Sequence, residues 1–195
     1  MKEKIKHLLA SRNHADIHRR GLTPAAVLIP LFCKESRNHV LFTKRTQTVR
    51  HHKGQISFPG GVQNSGKESL ADTARRETFE EIGVRTEHIE LLGRLDQTIT
   101  IISNFVVTPY VGLIPYPYTF RPNPIEVEEI IEIPLSSILN PRISSNGYFE
   151  YNGLSYESEC FNYGDHVIWG ATARIIEIFR EAVGKELQNL DRCLE

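Results

Sequence analysis

Several features that define large classes of proteins are missing from this sequence of 195 residues. The longest apolar stretch, residues 25–33, contains a proline and is far too short to span a bilayer. The first ten residues, MKEKIKHLLA, carry charge throughout and lack the apolar region and cleavage site of a signal peptide. Internal repeats and low-complexity linkers are also missing. We therefore expect a soluble cytoplasmic protein, with no membrane partner, that folds as one domain over residues 1–195.

A strong charge bias and a cysteine pattern are missing as well. The 23 basic and 24 acidic residues leave a formal net charge of −1, which argues against a protein that mainly holds nucleic acid. This balance still permits a small anionic ligand bound by a few basic groups. Cys33, Cys160 and Cys193 lie far apart and lack the spacing of a metal site. We expect them to be reduced thiols.

The order of predicted elements is typical of a mixed α+β domain. The apolar periodicity predicts helices over about 2–20, over Leu70–Ile82 with Gly83 as its end, and over 171–189. A short helix is predicted at 135–139. Predicted strands cover residues 25–32, 38–44, 89–95, 105–113 and 127–133, and a hairpin joins 148–151 to 154–159. Residues 45–61 and the proline-rich stretch 115–124 are predicted loops.

Three glutamates converge on one side of the helix Leu70–Ile82. At 100° per residue, Glu77, Glu80 and Glu81 occupy an arc of roughly 100° beside the apolar stripe. Such a cluster repels itself unless a cation is present, and carboxylate oxygens with waters suit Mg²⁺ or Mn²⁺. The helix by itself leaves a second interpretation open, a solvated acidic surface.

The whole segment 61–84 resembles the Nudix box, GX5EX7REUXEEXGU, in which U is aliphatic. Two positions depart from that pattern: Thr78 replaces an aliphatic residue, and one extra residue separates the first glycine from the first glutamate. The matching residues are Gly61, Glu68, Arg76, Glu77, Glu80, Glu81, Gly83 and Val84. The resemblance implies the Nudix fold, a mixed β-sheet sandwiched between helices, and metal-dependent cleavage of a pyrophosphate bond.

The same resemblance implies roles for these residues. The metal ligands would be Glu77, Glu80 and Glu81, with the carbonyl of Gly61 as a further ligand for Mg²⁺ or Mn²⁺. Arg76 would orient the glutamates, and Glu68 would be structural or would contact the metal ligands rather than the metal.

The general base is left open by the resemblance. It would be Glu77 or Glu80 on the helix, or an acid from a later loop, for which Glu126 and Glu129 are the candidates. An exposed strand edge kept soluble by charge is the alternative interpretation of residues 126–129.

Cations cluster just before the box, in residues 44–53. Such a cluster suits a substrate with several phosphates, because each arginine can bind a phosphate in a bidentate manner. An ordinary solvated loop is the alternative interpretation. The cations are Lys44, Arg45, Arg50 and Lys53, with His51 and His52 beside them. Residues 41–61 are similar to LLTXR(S/T)XXXRXXXGXXXFPGG, the extra motif of the coenzyme A pyrophosphatase branch, with Phe42 at a leucine position. Residues 123–135 and 168–173 are also similar to that branch.

The branch implies hydrolysis of coenzyme A, or a derivative, to 3′,5′-ADP and 4′-phosphopantetheine. Arg45, Arg50, Lys53 and Gly54 would bind this small-molecule substrate, whereas Trp169 is expected to pack in the core or a dimer rather than to stack on adenine. Two alternatives stay open: a Nudix hydrolase for an ADP-sugar or dinucleotide, and a Nudix-fold binding module without catalysis. The family also implies a possible homodimer.

Overall fold

The computed structural model describes residues 2–48, 53–64, 66–100, 104–151, 153–187 and 193–194. The helices of this part are α1 (Lys2–Ser11), α2 (Leu70–Ile82), α3 (Leu135–Leu139) and α4 (Gly170–Leu187), with 3₁₀ turns at Thr86–His88 and Pro141–Ile143. The strands are β1 (Thr23–Lys34), β2 (Arg37–Arg45), β3 (Ile56–Ser57), β4 (Gly60–Val62), β5 (Glu90–Arg94), β6 (Thr98–Ile99), β7 (Phe105–Leu113), β8 (Val127–Pro134), β9 (Ser144–Tyr151), β10 (Leu154–Tyr163) and β11 (His166–Trp169). Among the described helices, none has the length and apolar character needed to cross a bilayer.

The main sheet is mixed and is built around β1. This strand runs parallel to β7, with Thr23 opposite Phe105 and Leu31 opposite Leu113. Its other edge pairs antiparallel with β4 at the start and with β2 at the end. The strands β3 and β8 extend the sheet from β2, while β5 and β6 extend it from β7. A nearly continuous apolar run in β1 fits this central position, because both faces of the strand are covered.

Helices cover both faces of the main sheet, so the predicted sandwich is confirmed. Alternate residues of β1 point to opposite faces. Ala26, Leu28 and Phe32 belong to the core cluster that includes Ala74 and Ile82 of α2. On the other face, Ala25, Ile29 and Leu31 join a larger cluster that is completed by residues of α1, α3 and α4.

A second, three-stranded sheet follows in the chain, in the order β11-β10-β9. Its hairpin agrees with the prediction, although both strands are longer and β11 was not predicted. Residue 152 of the hairpin turn lies outside the described part of the chain. The Trp169 ring stacks on Phe149, with the ring centroids 4.6 Å apart. This contact gives Trp169 a packing partner within its own chain.

The N-terminal helix ends at Ser11, so its predicted extension to residue 20 is wrong. The segment that follows is held by side chains of the β5–β6 connection instead. Asp96 Oδ1 accepts a hydrogen bond from the backbone of Ala15, and Gln97 Oε1 accepts one from the backbone of Ile17. These tertiary hydrogen bonds replace the bonds that a longer helix would have made.

The expectation of three reduced thiols is wrong for two of them. Cys33 and Cys193 form a disulfide whose Cα atoms lie 5.5 Å apart, across a sequence separation of 160 residues. Next to it, the backbone of Leu194 donates to Asn38 Oδ1 at 2.9 Å. The free cysteine of the described residues is the buried Cys160. Sequence spacing could not reveal the pair, because only folding brings the C-terminal segment to the end of β1.

Candidate active site

The helix α2 is capped at both of its ends, and the predicted stop at Gly83 is confirmed. Ser69 is the N-cap, and its hydroxyl accepts a hydrogen bond from the backbone of Asp72 at 3.1 Å. At the C-cap, Gly83 adopts the left-handed conformation with φ of 74°. A Cβ atom at this position would also lie 2.9 Å from Cβ of Arg121, because the loop 115–126 wraps around this end. The helix is therefore fixed along its axis.

Glu81 is the buried member of the glutamate trio, with 2% of its surface exposed. The Thr43 hydroxyl donates to Oε2 at 3.2 Å, and Arg45 Nη1 lies 3.8 Å from Oε1. A backbone hydrogen bond from Gly60 also reaches this carboxylate. Burial raises the pKa of Glu81 to about 8, although these partners oppose the shift. A buried carboxylate of this kind is stable in its charged form only when a positive charge lies close to it.

Glu77 lies against the glycine pair of β4. A Cβ atom added to Gly61 would sit 2.5 Å from Cδ of Glu77, so only glycine leaves space for this carboxylate. Burial raises the pKa of Glu77, whereas the adjacent Arg76 lowers it. Glu80, one turn further along, is the exposed member of the trio, with 51% of its side chain exposed. The three carboxylates thus range from fully buried to solvated.

Arg76 lies at the centre of a network of carboxylates. Its Nε donates to Glu68 at 2.7 Å, and its Nη1 donates to Glu77 at 2.6 Å and to Glu80 at 3.2 Å. Its Nη2 donates to the backbone carbonyl of Val62. Hydrogen bonding to Arg76 is the main reason that the pKa of Glu68 falls to about 2. Arg76 therefore ties α2 to β4 and offsets part of the repulsion among the glutamates.

The donor set fits a hard divalent cation in its chemistry. Carboxylate oxygens beside a glycine backbone are ligands that Mg²⁺ and Mn²⁺ accept, and the glycine space against Glu77 keeps that carboxylate at the backbone. As the side chains stand, the described residues hold no group of three or more His, Cys, Asp or Glu close enough to form a metal site. Arg76 bridges Glu77 and Glu80, while Glu81 turns to Thr43.

The two candidate acids of the later loop lie in different places. The negative charge of Glu126 raises the pKa of both Glu77 and Glu81, so Glu126 lies within electrostatic range of both carboxylates. Glu129 pairs with Lys44 across the β2–β8 ladder, and its carboxylate lies 3.8 Å from His166 of β11. Glu126 therefore acts electrostatically on the carboxylates of α2, whereas Glu129 lies beside the second sheet.

The cation-rich segment 44–53, called the basic loop from here on, begins at the end of β2, beside the glutamates of α2. Its base is closed by hydrogen bonds of Arg45, whose backbone donates to Gln55 and accepts from Gly54. Gly54 needs its glycine, because its φ is 66°. Lys53 is exposed. Arg50, His51 and His52 lie outside the described residues.

Two threonines of the site were not among the predicted site residues. Thr43 donates to Glu81, and the buried Thr46 donates to the carbonyl of Ile125 at 2.7 Å, which holds the loop beside Glu126. Strand alternation contained a signal for Thr43, because it lies between Leu41 and Arg45 on one face of β2. That signal becomes useful only when α2 is known to cover this face.

Comparisons with known proteins identify the family of this chain. The NUDIX domain family matches residues 22–145. The uncharacterized Nudix hydrolase NudL of Photorhabdus laumondii is 38% identical over 161 residues, which cover 82% of this chain and 84% of that protein. NudL of Yersinia enterocolitica is 37% identical over 161 residues, covering 82% of this chain and 80% of that protein.

Solved structures show the same fold. A MutT/nudix family protein from Enterococcus faecalis matches 92% of this chain and 68% of its own, with a TM-score of 0.57 and 17% identity. At this identity the likeness shows the fold alone. The family match spans more than half of the sequence, and the NudL proteins extend it over most of the chain. The chain therefore belongs to the Nudix hydrolases, pyrophosphohydrolases that act on small nucleotide-like substrates and typically use a divalent metal.

Proposed function

We propose that this Nudix hydrolase cleaves the pyrophosphate bond of coenzyme A, or of a derivative, to give 3′,5′-ADP and 4′-phosphopantetheine. The observation that carries the proposal is the placement of Arg45. Its Nη1 faces Glu81 at 3.8 Å, while its Nε is buried and has no hydrogen-bond partner among the described residues. A buried unpaired donor is costly, and a phosphate oxygen would satisfy it. This arginine belongs to the motif that resembles the coenzyme A pyrophosphatase branch.

The metal ions would be Mg²⁺ or Mn²⁺, held by Glu77, Glu80, Glu81 and the carbonyl of Gly61. When bound, such ions neutralise pyrophosphate charge and lower the pKa of water. The binding of a cation would compete with Arg76 for Glu77 and Glu80, because its Nη1 donates to both carboxylates. Arg76 would remain anchored to Glu68 and Val62, and would continue to orient the helix.

The remaining roles fall to the acids and cations around the helix. Glu126 is our candidate for the general base, because its charge acts on both Glu77 and Glu81. Glu77 and Glu80 are the alternatives for this role. Glu129 is less suited, since its carboxylate lies beside His166. The cations of the basic loop, Arg45, Arg50 and Lys53, would stabilise charge on the leaving phosphate and bind the 3′-phosphate of coenzyme A.

A comparison of substrates tests the proposal. The purified protein, with Mg²⁺ or Mn²⁺, is given coenzyme A, ADP-ribose, NADH and diadenosine polyphosphates at equal concentrations, and the products are identified by chromatography and mass spectrometry. We expect the highest kcat/KM for coenzyme A, with 3′,5′-ADP as a product. Faster turnover of ADP-ribose or of a dinucleotide would assign the enzyme to another nucleoside diphosphate.

Dephospho-coenzyme A is the matched control, because it differs from coenzyme A only by the 3′-phosphate. If the basic loop binds that phosphate, the loss of a charge-assisted contact should raise KM by roughly tenfold or more. An unchanged KM would show that the 3′-phosphate is not recognised. A homodimer remains a further expectation, which the molar mass in solution tests.

A further inference from the structure

The neutral hydroxyl of Thr43 lies beneath Glu81, the only fully buried carboxylate among the described site residues. Thr43 is 1% exposed, and its hydroxyl donates to Glu81 Oε2 at 3.2 Å. We propose that Thr43 is the positioning residue of Glu81. The first part of the extra motif, which contains Thr43, then holds a carboxylate of α2 in place, while the rest of the motif binds substrate. The inference rests on the proposed role of Glu81 as a metal ligand.

The sheet geometry explains why this residue reaches Glu81. Leu41 belongs to the core cluster under α2, whereas its neighbours Val40 and Phe42 belong to the cluster on the opposite face. Side chains of a strand alternate, so Thr43 and Arg45 follow Leu41 on the α2 face. The last turn of α2 lies above them and directs Glu81 down to the sheet. The contact therefore joins two rigid elements, a strand and a helix.

The two oxygens of Glu81 have different partners. Oε2 accepts from Thr43 at 3.2 Å, and Oε1 faces Arg45 Nη1 at 3.8 Å. A hydroxyl on one oxygen and a cation near the other resist rotation of the carboxylate about its last bond. Arg45 is partly exposed and is also proposed to bind phosphate, whereas Thr43 is sealed from solvent. The other acceptor within reach of the Thr43 hydroxyl is the Ser57 carbonyl, which lies farther away at 3.4 Å than the Glu81 carboxylate at 3.2 Å.

This arrangement matters because a metal ligand must be held in place before the metal and substrate arrive. A carboxylate that loses its hydrogen bond in a buried site gains alternative positions, and misplacement by about 1 Å can cost a hundredfold in rate. Valine has nearly the same shape as threonine, with a methyl group in place of the hydroxyl. The hydroxyl can therefore be removed with little change in volume.

The experiment compares Thr43→Val, which removes the hydroxyl, with Thr43→Ser, which keeps it. Mn²⁺ binding to the metal-free proteins is measured by electron paramagnetic resonance, and kcat and KM are measured with a nucleoside diphosphate substrate. We expect Thr43→Val to weaken Mn²⁺ binding and to lower kcat, each by about tenfold or more, with KM within about threefold of wild type. Thr43→Ser should restore both values to within about threefold.

Thr108→Val is the matched control. Thr108 is equally buried, at 1% exposure, and its hydroxyl accepts from Gln97 at 2.9 Å rather than donating to a carboxylate. Thr108→Val should lower the melting temperature about as much as Thr43→Val does, but it should leave Mn²⁺ binding and kcat unchanged. If Thr43→Val keeps wild-type Mn²⁺ affinity and kcat, or if Thr43→Ser is as impaired as valine, the positioning role is refuted.

Mn²⁺ binding by Glu81→Gln separates this inference from the proposed metal site. Wild-type affinity in Glu81→Gln would refute Glu81 as a ligand, and the role of Thr43 would fall with it. Weak binding in Glu81→Gln together with normal binding in Thr43→Val would refute the positioning role alone.

Discussion

Substitution by alanine should have different effects at the two adjacent glycines, Gly60 and Gly61. A Cβ atom at Gly60 would lie 2.6 Å from Cα of Val27 and still closer to the carbonyl oxygen of Ala26. At Gly61 it would lie 2.5 Å from Cδ of Glu77. The first clash involves the backbone of the central strand, whereas the second involves the end of a flexible side chain. We therefore expect Gly60→Ala to damage the fold and Gly61→Ala to damage the site.

The magnitudes follow from which atoms can move. Gly60→Ala forces apart β4 and β1, because Gly60 is paired with Val27, and should cost about 3 kcal/mol or more in the free energy of unfolding. For Gly61→Ala, an ordinary contact begins near 3.4 Å, so the Glu77 carboxylate must retreat by about 1 Å. The change in stability should stay within about 1 kcal/mol, since alanine also restricts the unfolded chain. A displacement of that size should lower kcat about a hundredfold.

Urea unfolding and steady-state kinetics with Mg²⁺ measure the two effects on the same preparations. Gly61→Ala should unfold with the wild-type midpoint and show low kcat, while Gly60→Ala should have a lower midpoint or fail to fold. If Gly61→Ala turned over substrate at the wild-type rate, the position of Glu77 against β4 would have no part in catalysis. If Gly60→Ala were as stable as wild type, the close approach of the two strands would be wrong.

Two further predictions concern burial and covalent linkage. Glu81→Gln should lower kcat by orders of magnitude, yet in EDTA it should melt at a higher temperature than wild type. The folded pKa of Glu81 is raised to about 8 from 4.5, so wild-type stability is lost as pH rises between these values, and the gap should reach a few kcal/mol above pH 8. A gap that does not grow with pH would contradict the buried charge. Reduction of the Cys33–Cys193 disulfide, which spans 160 residues, should cost about 2–4 kcal/mol in urea unfolding. Cys33→Ser should show that loss without reductant and no further loss with it.

Much of the fold could be predicted where local pattern and tertiary packing agree. The helix Leu70–Ile82 has a serine cap, an apolar stripe and a glycine stop, and each of these signals depends only on neighbours in the chain. The apolar strand β1 was predicted for the same reason. The N-terminal helix was predicted too long because the hydrogen bonds from Asp96 and Gln97 come from residues about 80 positions away. No local pattern contains them.

The candidate site divides in the same way. Spacing along one helix identified Glu77, Glu80 and Glu81, and the glycine pair before them, without any knowledge of the sheet. Spacing could not separate Glu126 from Glu129, because Glu126 lies in the loop just before β8, whereas the direction of Glu129 depends on the β2–β8 register. It also could not identify the role of Thr43, whose partner is 38 residues away.

Local patterns were enough to predict the family, the helix α2 with its three glutamates and the basic loop, since each depends on residues close together in the chain. Only the assembled fold shows how deeply each carboxylate is buried, that Glu126 acts electrostatically on Glu77 and Glu81 while Glu129 lies beside His166, and that Cys33 meets Cys193. Those outcomes depend on the packing of α2 against β1 and β2 and on the return of the C-terminal segment. Burial and long-range contact are properties of the assembled layers, and no single segment contains them.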